Sequence, residues 1–332
     1  MRIAINGFGR IGRCAFKIAL EKRGAQIVAI NDLTDTRTLA YMLKYDTVYG
    51  RYGKKVTYDK QNIIVDGKKI PVFAEKDPAK LPWKKYKVDV VLECTGVFEK
   101  AEDLKKHALA GAKKVVLSAP AKDEVTTLVF GTELTKKLIG HDNIISNASC
   151  TTNCIAPVMQ ILESKFGVVK SIMTTIHAYT ASQRLVDGPD AKDLRRGRAG
   201  AANMAPSSTG AAKATILVIP TLKDKFDGIS IRVPVICGSL SDITAVLKKN
   251  VTAEEVNDAF RKMASHPLYK NILGIADGDD ELVSSDIIGT TESAIVDLKY
   301  TRVVDGNLVK VLAWYDNEWG YSNRLVEMAI AI

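Results

Sequence analysis

The sequence predicts a two-domain α/β protein, with a parallel, doubly wound sheet in the N-terminal half and an α+β second half whose sheet is mostly antiparallel. The length of 332 residues exceeds the roughly 250 residues at which single hydrophobic cores stop growing, so two domains are expected. In the first half, short apolar strands alternate with helical runs, beginning with a strand at 2–6. In the second half, long strands follow one another with few helical crossovers, which favours antiparallel pairing.

Composition and charge narrow the class of protein. With 46% hydrophobic and 26% charged residues, the chain is of the ordinary globular type. It has no apolar run of about 18 residues and no signal-peptide pattern, so we expect a cytoplasmic location and no membrane partner. The net charge of +9 is spread along the chain, which favours small anionic partners over nucleic acid as the main role. Five cysteines without a C-x-x-C pair, and four scattered histidines, indicate neither a disulfide framework nor a metal site.

The first strand runs directly into a turn with three glycines, and the spacing of these glycines has a physical explanation. Gly7 permits the tight turn, Gly9 lets the backbone approach a pyrophosphate, and Gly12 allows close packing of the next helix on the strand. That helix should bury one face from Ile11 to Ala19, and a buried strand at 26–32 then ends in a carboxylate. This strand–loop–helix–strand order predicts a Rossmann-type dinucleotide-binding domain. A carboxylate at Asp32 can bind both ribose hydroxyls and would repel a 2′-phosphate, so NAD is favoured over NADP.

The remaining elements of both halves are predicted by hydrophobic periodicity. The first sheet should continue through strands at 88–95, 114–118, 127–130 and 143–146, with a helix at 101–111 and an antiparallel excursion at 48–70. In the second half, strands are predicted at 170–180, 229–235, 239–248, 293–298 and 308–315. A helix at 253–265 begins with a capping box, and a terminal helix is expected at 320–330. The segment 187–210 is polar, rich in glycine, alanine and arginine, and expected to be a structureless functional loop.

The candidate nucleophile is Cys150, which precedes an apolar helical run at 155–166. A thiol at a helix start faces unpaired N–H groups and the positive end of the helix dipole, and both favour the thiolate. His177, at the end of the strand at 170–180, is the candidate base. The hydroxyls of 207–213 at a further helix start, together with Arg195 and Arg232, could hold an oxyanion or phosphate. We expect the other thiols to pack as small hydrophobes and the other imidazoles to lie at the surface: Cys14, Cys94, Cys154 and Cys237, and His107, His141 and His266.

Taken together, these motifs resemble phosphorylating glyceraldehyde-3-phosphate dehydrogenase over essentially the whole chain. The matching segments are INGFGRIGR at 5–13, ASCTTN at 148–153, the run at 208–213 and WYDNE at 314–318. The resemblance implies an NAD-binding domain at 1–149, joined by a C-terminal helix at 316–332, and a catalytic domain at 150–315. It further implies an S-loop at about 180–203 that lies against a neighbouring subunit, and a homotetramer.

The resemblance also implies a reaction and a set of site residues. Cys150 would attack the aldehyde of glyceraldehyde 3-phosphate, His177 would take the hydroxyl proton during hydride transfer to NAD, and inorganic phosphate would attack the resulting thioester. Implied contacts to the C3 phosphate are Thr180, Arg195 and Arg232. Implied contacts to the attacking phosphate are Ser149, Thr151, Thr209 and Gly210. Beside the three glycines, implied contacts to NAD are Arg10, Ile11, Asp32, Ser118 and Asn317, with a weaker one from Lys76.

Two departures and two alternatives stay open. Ser182 stands where many bacterial relatives carry an acid, and Asp187-Gly188-Pro189 resembles the eukaryotic and enterobacterial form of the loop. A close alternative is erythrose-4-phosphate dehydrogenase, which would hydrolyse its thioester rather than transfer it to phosphate. An alternative of another class is a non-catalytic NAD- or RNA-binding protein on the same scaffold, against which the intact pair of Cys150 and His177 argues.

Overall fold

The computed structural model describes residues 1–191 and 193–332, and these divide into two compact units. The first unit comprises 1–128, 138–148 and 322–332, and the second comprises 129–137 and 149–321. The short segment 129–137 thus groups with the second unit. The C-terminal helix belongs to the first unit from Ser322 onward.

The first unit contains the doubly wound sheet that the sequence predicts. The strands in chain order are β1 (Arg2–Asn6), β2 (Gln26–Asn31), β3 (Tyr45–Asp46), β4 (Gly50–Arg51), β5 (Val56–Tyr58), β6 (Asn62–Val65), β7 (Lys68–Phe73), β8 (Val90–Glu93), β9 (Lys114–Leu117), β10 (Thr126–Thr127) and β11 (Ile144–Ser146). Nine of them form one sheet in the order β10-β11-β9-β8-β1-β2-β7-β6-β5, and β3 pairs with β4. Pairing is parallel from β10 to β7 and antiparallel from β7 to β5, so the excursion predicted at 48–70 is confirmed.

Three helices accompany this sheet: α1 (Arg10–Glu21), α2 (Thr36–Lys44) and α3 (Ala101–Leu109). The predicted face of α1 is confirmed, since Cys14, Ala15, Ile18 and Ala19 are all buried. Helix α2 was not predicted from the sequence. Its start is set by Asp35, whose carboxylate accepts a hydrogen bond from the Thr38 amide at 3.0 Å, as expected of an N-cap.

The strand order reverses at the centre of this sheet. From β1 the chain crosses through α1 to β2 on one side, whereas β8 lies on the other side of β1 and leads through α3 to β9. Parallel sheets bind ligands outside the carboxyl ends of their strands at such a reversal. The ends of β1 and β8, at Asn6 and Glu93, therefore mark the expected ligand crevice.

The second unit is a seven-stranded sheet with helices. Its helices are α4 (Glu133–Leu138), α5 (Cys150–Phe166), α6 (Ala211–Val218), α7 (Ala253–Ala264) and the first residues of α8 (Trp319–Ala331). Its strands are β12 (Val168–Ala178), β13 (Ala205–Ser207), β14 (Phe226–Val233), β15 (Ser239–Leu247), β16 (Leu273–Ala276), β17 (Ala294–Val304) and β18 (Leu308–Tyr315), in the order β13-β14-β12-β15-β18-β17-β16. Among these strands most pairings are antiparallel, whereas β12–β14 and β16–β17 are parallel. The predicted α+β class is confirmed, and so is the capping box of α7 at Thr252 and Glu255.

Helices α5, α6 and α7 pack against this second sheet, and strand burial alternates accordingly. In β12, Met173 is fully buried, whereas its neighbour Ile172 on the opposite face is 58% exposed. The segment predicted to be structureless is not uniformly so, because its end forms β13 against β14. Among the residues that the structure describes, no helix is long and apolar enough to cross a membrane.

Candidate active site

Cys150 occupies the first position of α5, as its motif predicts. Ser149 is the N-cap, and its hydroxyl accepts a hydrogen bond from the Thr152 amide at 3.1 Å. The chain enters this turn through Ala148, whose φ of +55° lies in the left-handed region that residues other than glycine seldom adopt. Because strain of this kind persists only where the surroundings fix it, the backbone before the thiol is held in one conformation.

His177 lies beside the thiol, with its Nε2 at 3.5 Å from Cys150 Sγ. Its Nδ1 lies 2.7 Å from the carbonyl oxygen of Ala178. The Ala178 carbonyl can only accept, whereas Arg232 Nη1, 2.9 Å from the same nitrogen, can only donate, so these two neighbours favour opposite tautomers. With the proton on Nδ1 and directed at Ala178, Nε2 directs a lone pair at the thiol. This tautomer is the one that can remove a proton from sulfur.

Arg232 reaches the same imidazole because β12 and β14 pair in parallel with His177 opposite Arg232. The guanidinium Nη1 lies 2.9 Å from His177 Nδ1 and donates to the Ala178 carbonyl at 3.3 Å. Its Nε is buried and has no hydrogen-bond partner among the described residues. A half-buried guanidinium with an unused buried donor is suited to an anion, and the sequence predicted an anion contact for this arginine.

Burial shifts the pKa values of the thiol and the imidazole in opposite directions, and both shifts favour the neutral form. Burial raises the pKa of the Cys150 thiol, while the charge of Arg232 and hydrogen bonds from Thr151 act to lower it. Burial, followed by the charge of Arg232, lowers the pKa of His177 to about 3. The first turn of the helix therefore favours the thiolate as expected, whereas burial favours the neutral thiol and the neutral imidazole.

Tyr315 is a residue of this site that was not predicted from the sequence. Its hydroxyl lies 2.9 Å from Thr151 Oγ1 and 2.8 Å from Thr175 Oγ1. Its ring meets His177 edge-on at a centroid distance of 6.0 Å. The fully buried Tyr315 thus ties the turn that carries Cys150 to the strand that carries His177.

Arg196, the neighbour of the predicted Arg195, is the arginine of this pair that contacts strand β13. The Arg195 side chain is exposed, whereas Arg196 is half-buried and donates to Ser207 Oγ from Nε at 3.0 Å and from Nη2 at 2.7 Å. Burial lowers the pKa of the Arg232 guanidinium, and the positive charge of Arg196 acts in the same direction. Strand pairing explains why Arg196 lies near Arg232. Strand β13 carries Ser207, the partner of Arg196, and it pairs with β14 so that Ala205 of β13 lies opposite Arg232.

The predicted hydroxyl ligands already have partners within the chain. Thr180 Oγ1 lies 2.9 Å from Ser182 Oγ, so the unusual serine contacts a predicted phosphate ligand. Thr209 Oγ1 accepts from the Ala211 amide at 3.1 Å. Gly210 is the N-cap of α6, with no capping side chain and open space where a Cβ would project. The first turn of α6 therefore leaves backbone donors for an anion.

In the first unit, a cavity of about 480 Å³ lies at the crevice where the strand order reverses. Four of the predicted cofactor residues line it, namely Gly7, Gly9, Asp32 and Lys76. Asp32 is held by the Phe8 amide, which donates to Oδ2 at 2.7 Å, and by the Thr34 amide, which donates to Oδ1 at 2.9 Å. The acidic residue therefore faces the cavity in a fixed orientation.

The glycine loop fits a dinucleotide. A Cβ on Gly7, where φ is +90°, would lie 2.7 Å from the backbone of Cys94 and Thr95. A Cβ on Gly12 would lie 2.1 Å from the Gly7 carbonyl oxygen, so α1 could not pack as closely. Gly9 has open space beside it, and as N-cap of α1 it leaves the helix N–H groups without a side-chain partner.

Other predicted cofactor residues lie outside the cavity lining. Arg10 forms an ion pair with Asp46 at 2.8 Å, and Ile11 is half-buried. Ser118 is half-buried at the end of β9, where its amide donates to the Glu93 carbonyl. Asn317 belongs to the second unit and accepts from Ser239 Oγ at 2.9 Å.

The surface position predicted for His107 is wrong, because its ring is fully buried in the first unit. The prediction is confirmed for His141 and His266, which are exposed. Among the cysteines, Cys14, Cys154 and Cys237 are buried as expected, whereas Cys94 is half-buried and lines the cavity.

A dinucleotide crevice in one unit and a thiol–imidazole pair in the other are what an NAD-dependent dehydrogenase with a covalent thiol intermediate requires. Residues 1–101 match the family model "Glyceraldehyde 3-phosphate dehydrogenase, NAD binding domain", and residues 149–317 match its C-terminal domain. The chain belongs to the glyceraldehyde-3-phosphate dehydrogenase family. The predicted resemblance, fold class and cofactor are thereby confirmed, and the chain is an NAD-dependent oxidoreductase.

Full-length relatives carry the same name. The chain is 52% identical to glyceraldehyde-3-phosphate dehydrogenase 2 of Streptomyces avermitilis, with 100% of this chain and 98% of the relative covered. It is 52% identical to the enzyme of Borreliella burgdorferi, with 99% and 98% covered. It is 50% identical to that of Geobacillus stearothermophilus, with 100% and 98% covered.

Proposed function

We propose that the chain oxidises and phosphorylates D-glyceraldehyde 3-phosphate to 1,3-bisphosphoglycerate with NAD and inorganic phosphate, as a step of glycolysis and gluconeogenesis. The observation that carries the proposal is the approach of Cys150 Sγ to His177 Nε2 at 3.5 Å, beside the half-buried guanidinium of Arg232. A nucleophile, an oriented base and an anion site together suit a phosphorylated aldehyde.

The first step adds the thiol across the aldehyde. The Sγ–C bond forms as the carbonyl π bond breaks, and the thiol proton passes through His177 Nε2 to the carbonyl oxygen. Burial lowers the pKa of His177 and so favours the neutral imidazole, which is the form that can take this proton. The product is a thiohemiacetal on Cys150, whose hydroxyl lies within reach of the same nitrogen.

Oxidation and release follow at the same sulfur. Gly7, Gly9 and Asp32 would hold NAD, which would accept the hydride that leaves the thiohemiacetal carbon. His177 takes the hydroxyl proton, so the carbon becomes a thioester carbonyl. A phosphate oxygen then attacks that carbon, the C–S bond breaks, and the sulfur recovers the proton from His177.

The decisive measurement is the initial rate against phosphate concentration, with glyceraldehyde 3-phosphate and NAD present. We expect NADH formation that rises and saturates with phosphate, because phosphate is the acceptor of the acyl group. A rate independent of phosphate, together with preference for erythrose 4-phosphate, would favour the hydrolytic alternative. Absence of NADH with both aldehydes would favour a non-catalytic protein.

The arginines of the site offer a matched pair of variants. We propose that Arg196 and Arg232 bind the anions of the reaction and that Arg195 does not. Replacing Arg196 with alanine should lower kcat/KM for glyceraldehyde 3-phosphate by about 10- to 150-fold, the usual cost of a hydrogen bond to a charged group. The adjacent Arg195→Ala change should cost less than about threefold, because that side chain is exposed.

Comparing glyceraldehyde 3-phosphate with unphosphorylated glyceraldehyde shows whether a variant has lost phosphate binding or the chemical step. Arg232→Ala should greatly reduce kcat/KM for the phosphorylated aldehyde and change the rate with glyceraldehyde little, because the phosphate supplies the binding energy that positions the carbonyl. An equal proportional loss with both aldehydes would contradict a phosphate-binding role. Equal losses for Arg195 and Arg196 would contradict the preference for Arg196.

We further propose that the chain acts as a homotetramer in the cytoplasm. Support comes from two apolar surfaces of the second unit that lack cover. On the sheet face opposite its helices, Ile172 and Leu308 are 58% and 38% exposed. In the proposed S-loop, Leu185 and Leu194 are each 83% exposed. A tetramer with two kinds of interface needs two separate surfaces on each chain that bind other copies, whereas a dimer needs one such surface.

Light scattering tests this assembly. We expect a mass of four chains for the unmodified protein and a smaller assembly for Ile172→Asp, because a carboxylate would be buried at the interface. As a control, Leu109→Asp alters a side chain that is 78% exposed on α3 of the first unit and should leave the mass unchanged. A monomeric unmodified protein would overturn the proposal.

A further inference from the structure

Glu93, the last residue of β8, places a carboxylate in the interior of the first unit, where none of its surface is exposed. A buried carboxylate is strongly unfavourable unless hydrogen bonds replace its lost water. Glu93 Oε1 accepts from the amide of Thr95 at 2.8 Å and from its hydroxyl. Glu93 Oε2 accepts from Asn6 Nδ2 and lies 3.0 Å from His107 Nε2. The compensation is thus shared by three residues from different parts of the chain.

The indole of Trp83 fixes the tautomer of His107. Trp83 Nε1 lies 3.0 Å from His107 Nδ1, and an indole N–H can only donate. Nδ1 is therefore the acceptor, and the ring proton sits on Nε2, from which it is donated to Glu93. Both rings are fully buried and stack at a centroid distance of 6.3 Å, so neither can turn away.

The opposite side of this chain of hydrogen bonds reaches the cofactor cavity. Asn6 and Thr95, which bind Glu93, both line the cavity. Asn6 Oδ1 accepts from Asn31 Nδ2 at 2.7 Å. Asn31 Nδ2 donates to the Glu75 carbonyl and Asn31 Oδ1 accepts from the Glu75 amide, both at 2.9 Å. Asn31 and Glu75 both line the cavity. One connected network therefore spans the ends of β1, β2 and β8, where the strand order reverses.

We propose that His107 is a positioning residue for NAD, which acts through Glu93 on the wall of the cofactor cavity. The Nε2 proton of His107 holds the Glu93 carboxylate in the one orientation from which it can bind Asn6 and Thr95 together. Those contacts fix the backbone of Thr95, against which Gly7 packs so closely that a Cβ would lie 2.7 Å from its nitrogen. Loss of the proton donor should therefore loosen the cavity wall without touching the thiol site.

This inference rests on the assignment of the cavity to NAD, so the test begins with NAD binding by calorimetry. His107→Phe keeps a buried ring but removes the donor, and the Kd for NAD should rise about tenfold. At saturating NAD, kcat and the KM for glyceraldehyde 3-phosphate should stay within about twofold of wild type. His107→Gln should restore most of the affinity, because its amide can accept from Trp83 and donate to Glu93.

A matched variant separates positioning from stability. Leu104 is fully buried on the same helix and packs against Val115 and Leu117 of β9, with no bond to Glu93. Leu104→Ala should lower the Tm and leave the NAD affinity unchanged. An equal loss of affinity in Leu104→Ala, an unchanged Kd in His107→Phe, or no rescue by glutamine would overturn the proposal. A wild-type protein that binds no NAD would instead overturn the assignment of the cavity.

A measurement on the folded wild type covers the case in which His107→Phe does not fold. In ¹⁵N-histidine spectra, His107 should be the neutral Nε2–H tautomer. Trp83→Phe, which keeps the aromatic packing but removes the donor to Nδ1, should change that signal and raise the Kd for NAD about threefold, less than loss of the imidazole itself. An Nδ1–H tautomer or an imidazolium in the wild type would contradict the proposed contact.

Discussion

Replacing Cys150 with serine is expected to lower kcat by about 10⁴-fold or more, while NAD binding is retained. A serine hydroxyl has far too high a pKa to attack as an anion, and an oxygen ester would lack the reactivity of the thioester toward phosphate. The cavity assigned to NAD lies in the first unit and Cys150 in the second, so the substitution leaves the cofactor contacts intact. Loss of activity and retention of NAD affinity should therefore appear in the same protein sample.

Cys154 provides the matched control for this experiment. It lies one helical turn after Cys150, is fully buried, and its thiol donates to the Ala313 carbonyl at 3.7 Å. A serine there can make the same bond, so Cys154→Ser should keep most of the activity. Turnover near the wild-type rate in Cys150→Ser, or an equal loss in Cys154→Ser, would contradict the nucleophile assignment.

The first unit was predictable because its signals are local. The glycine loop, the buried face of α1 and the strand ending at Asp32 follow one another within about thirty positions. The hydrophobic period of each segment matches the helix or strand that it forms. By contrast, α2 was missed, because its apolar side chains at Leu39, Ala40 and Leu43 form only a short stripe. A helix of that length depends on its cap and on packing more than on periodicity.

The geometry of the candidate active site could not be predicted from the sequence. His177 and Arg232 meet through strand register over 55 positions of sequence, and no local pattern encodes that register. Which of Arg195 and Arg196 packs against the sheet depends on a strand that follows in the chain, because Ser207 of β13 accepts from Arg196. Such non-local contacts explain why the sequence alone does not distinguish the two arginines.

His107 illustrates a signal that was present but outweighed. Its neighbours Lys105 and Lys106 suggest an exposed helix, yet Leu104 lies three positions earlier, on the same helical face. Burial of a histidine on that face requires partners for both ring nitrogens, and Trp83 and Glu93 come from elsewhere in the chain. The sequence could therefore have indicated the face but not the hydrogen bonds.

Replacing His177 with asparagine is expected to lower kcat by about 10²- to 10⁴-fold, the usual contribution of a positioned acid–base group. An amide has no basic nitrogen, so the thiol proton and then the hydroxyl proton would have to leave through water. Alkylation of Cys150 by iodoacetamide near neutral pH should slow as well, because the group that receives the thiol proton is gone. The two measurements test separate steps, one chemical turnover and the other attack by the thiol alone.

Tyr315→Phe is the control that separates proton transfer from support of the site. It removes the hydroxyl that binds Thr151 and Thr175 but keeps the ring against His177, so kcat should fall by less than in His177→Asn and alkylation should persist. If both variants lost activity equally, His177 would be acting through the position of the thiol rather than as a base. Among the described residues, the side chains within hydrogen-bonding distance of Cys150 Sγ are His177 and Thr151, and the Thr151 hydroxyl is not a base. No other side chain could therefore replace His177 as the base, and unchanged alkylation and turnover in His177→Asn would remove the imidazole from the mechanism.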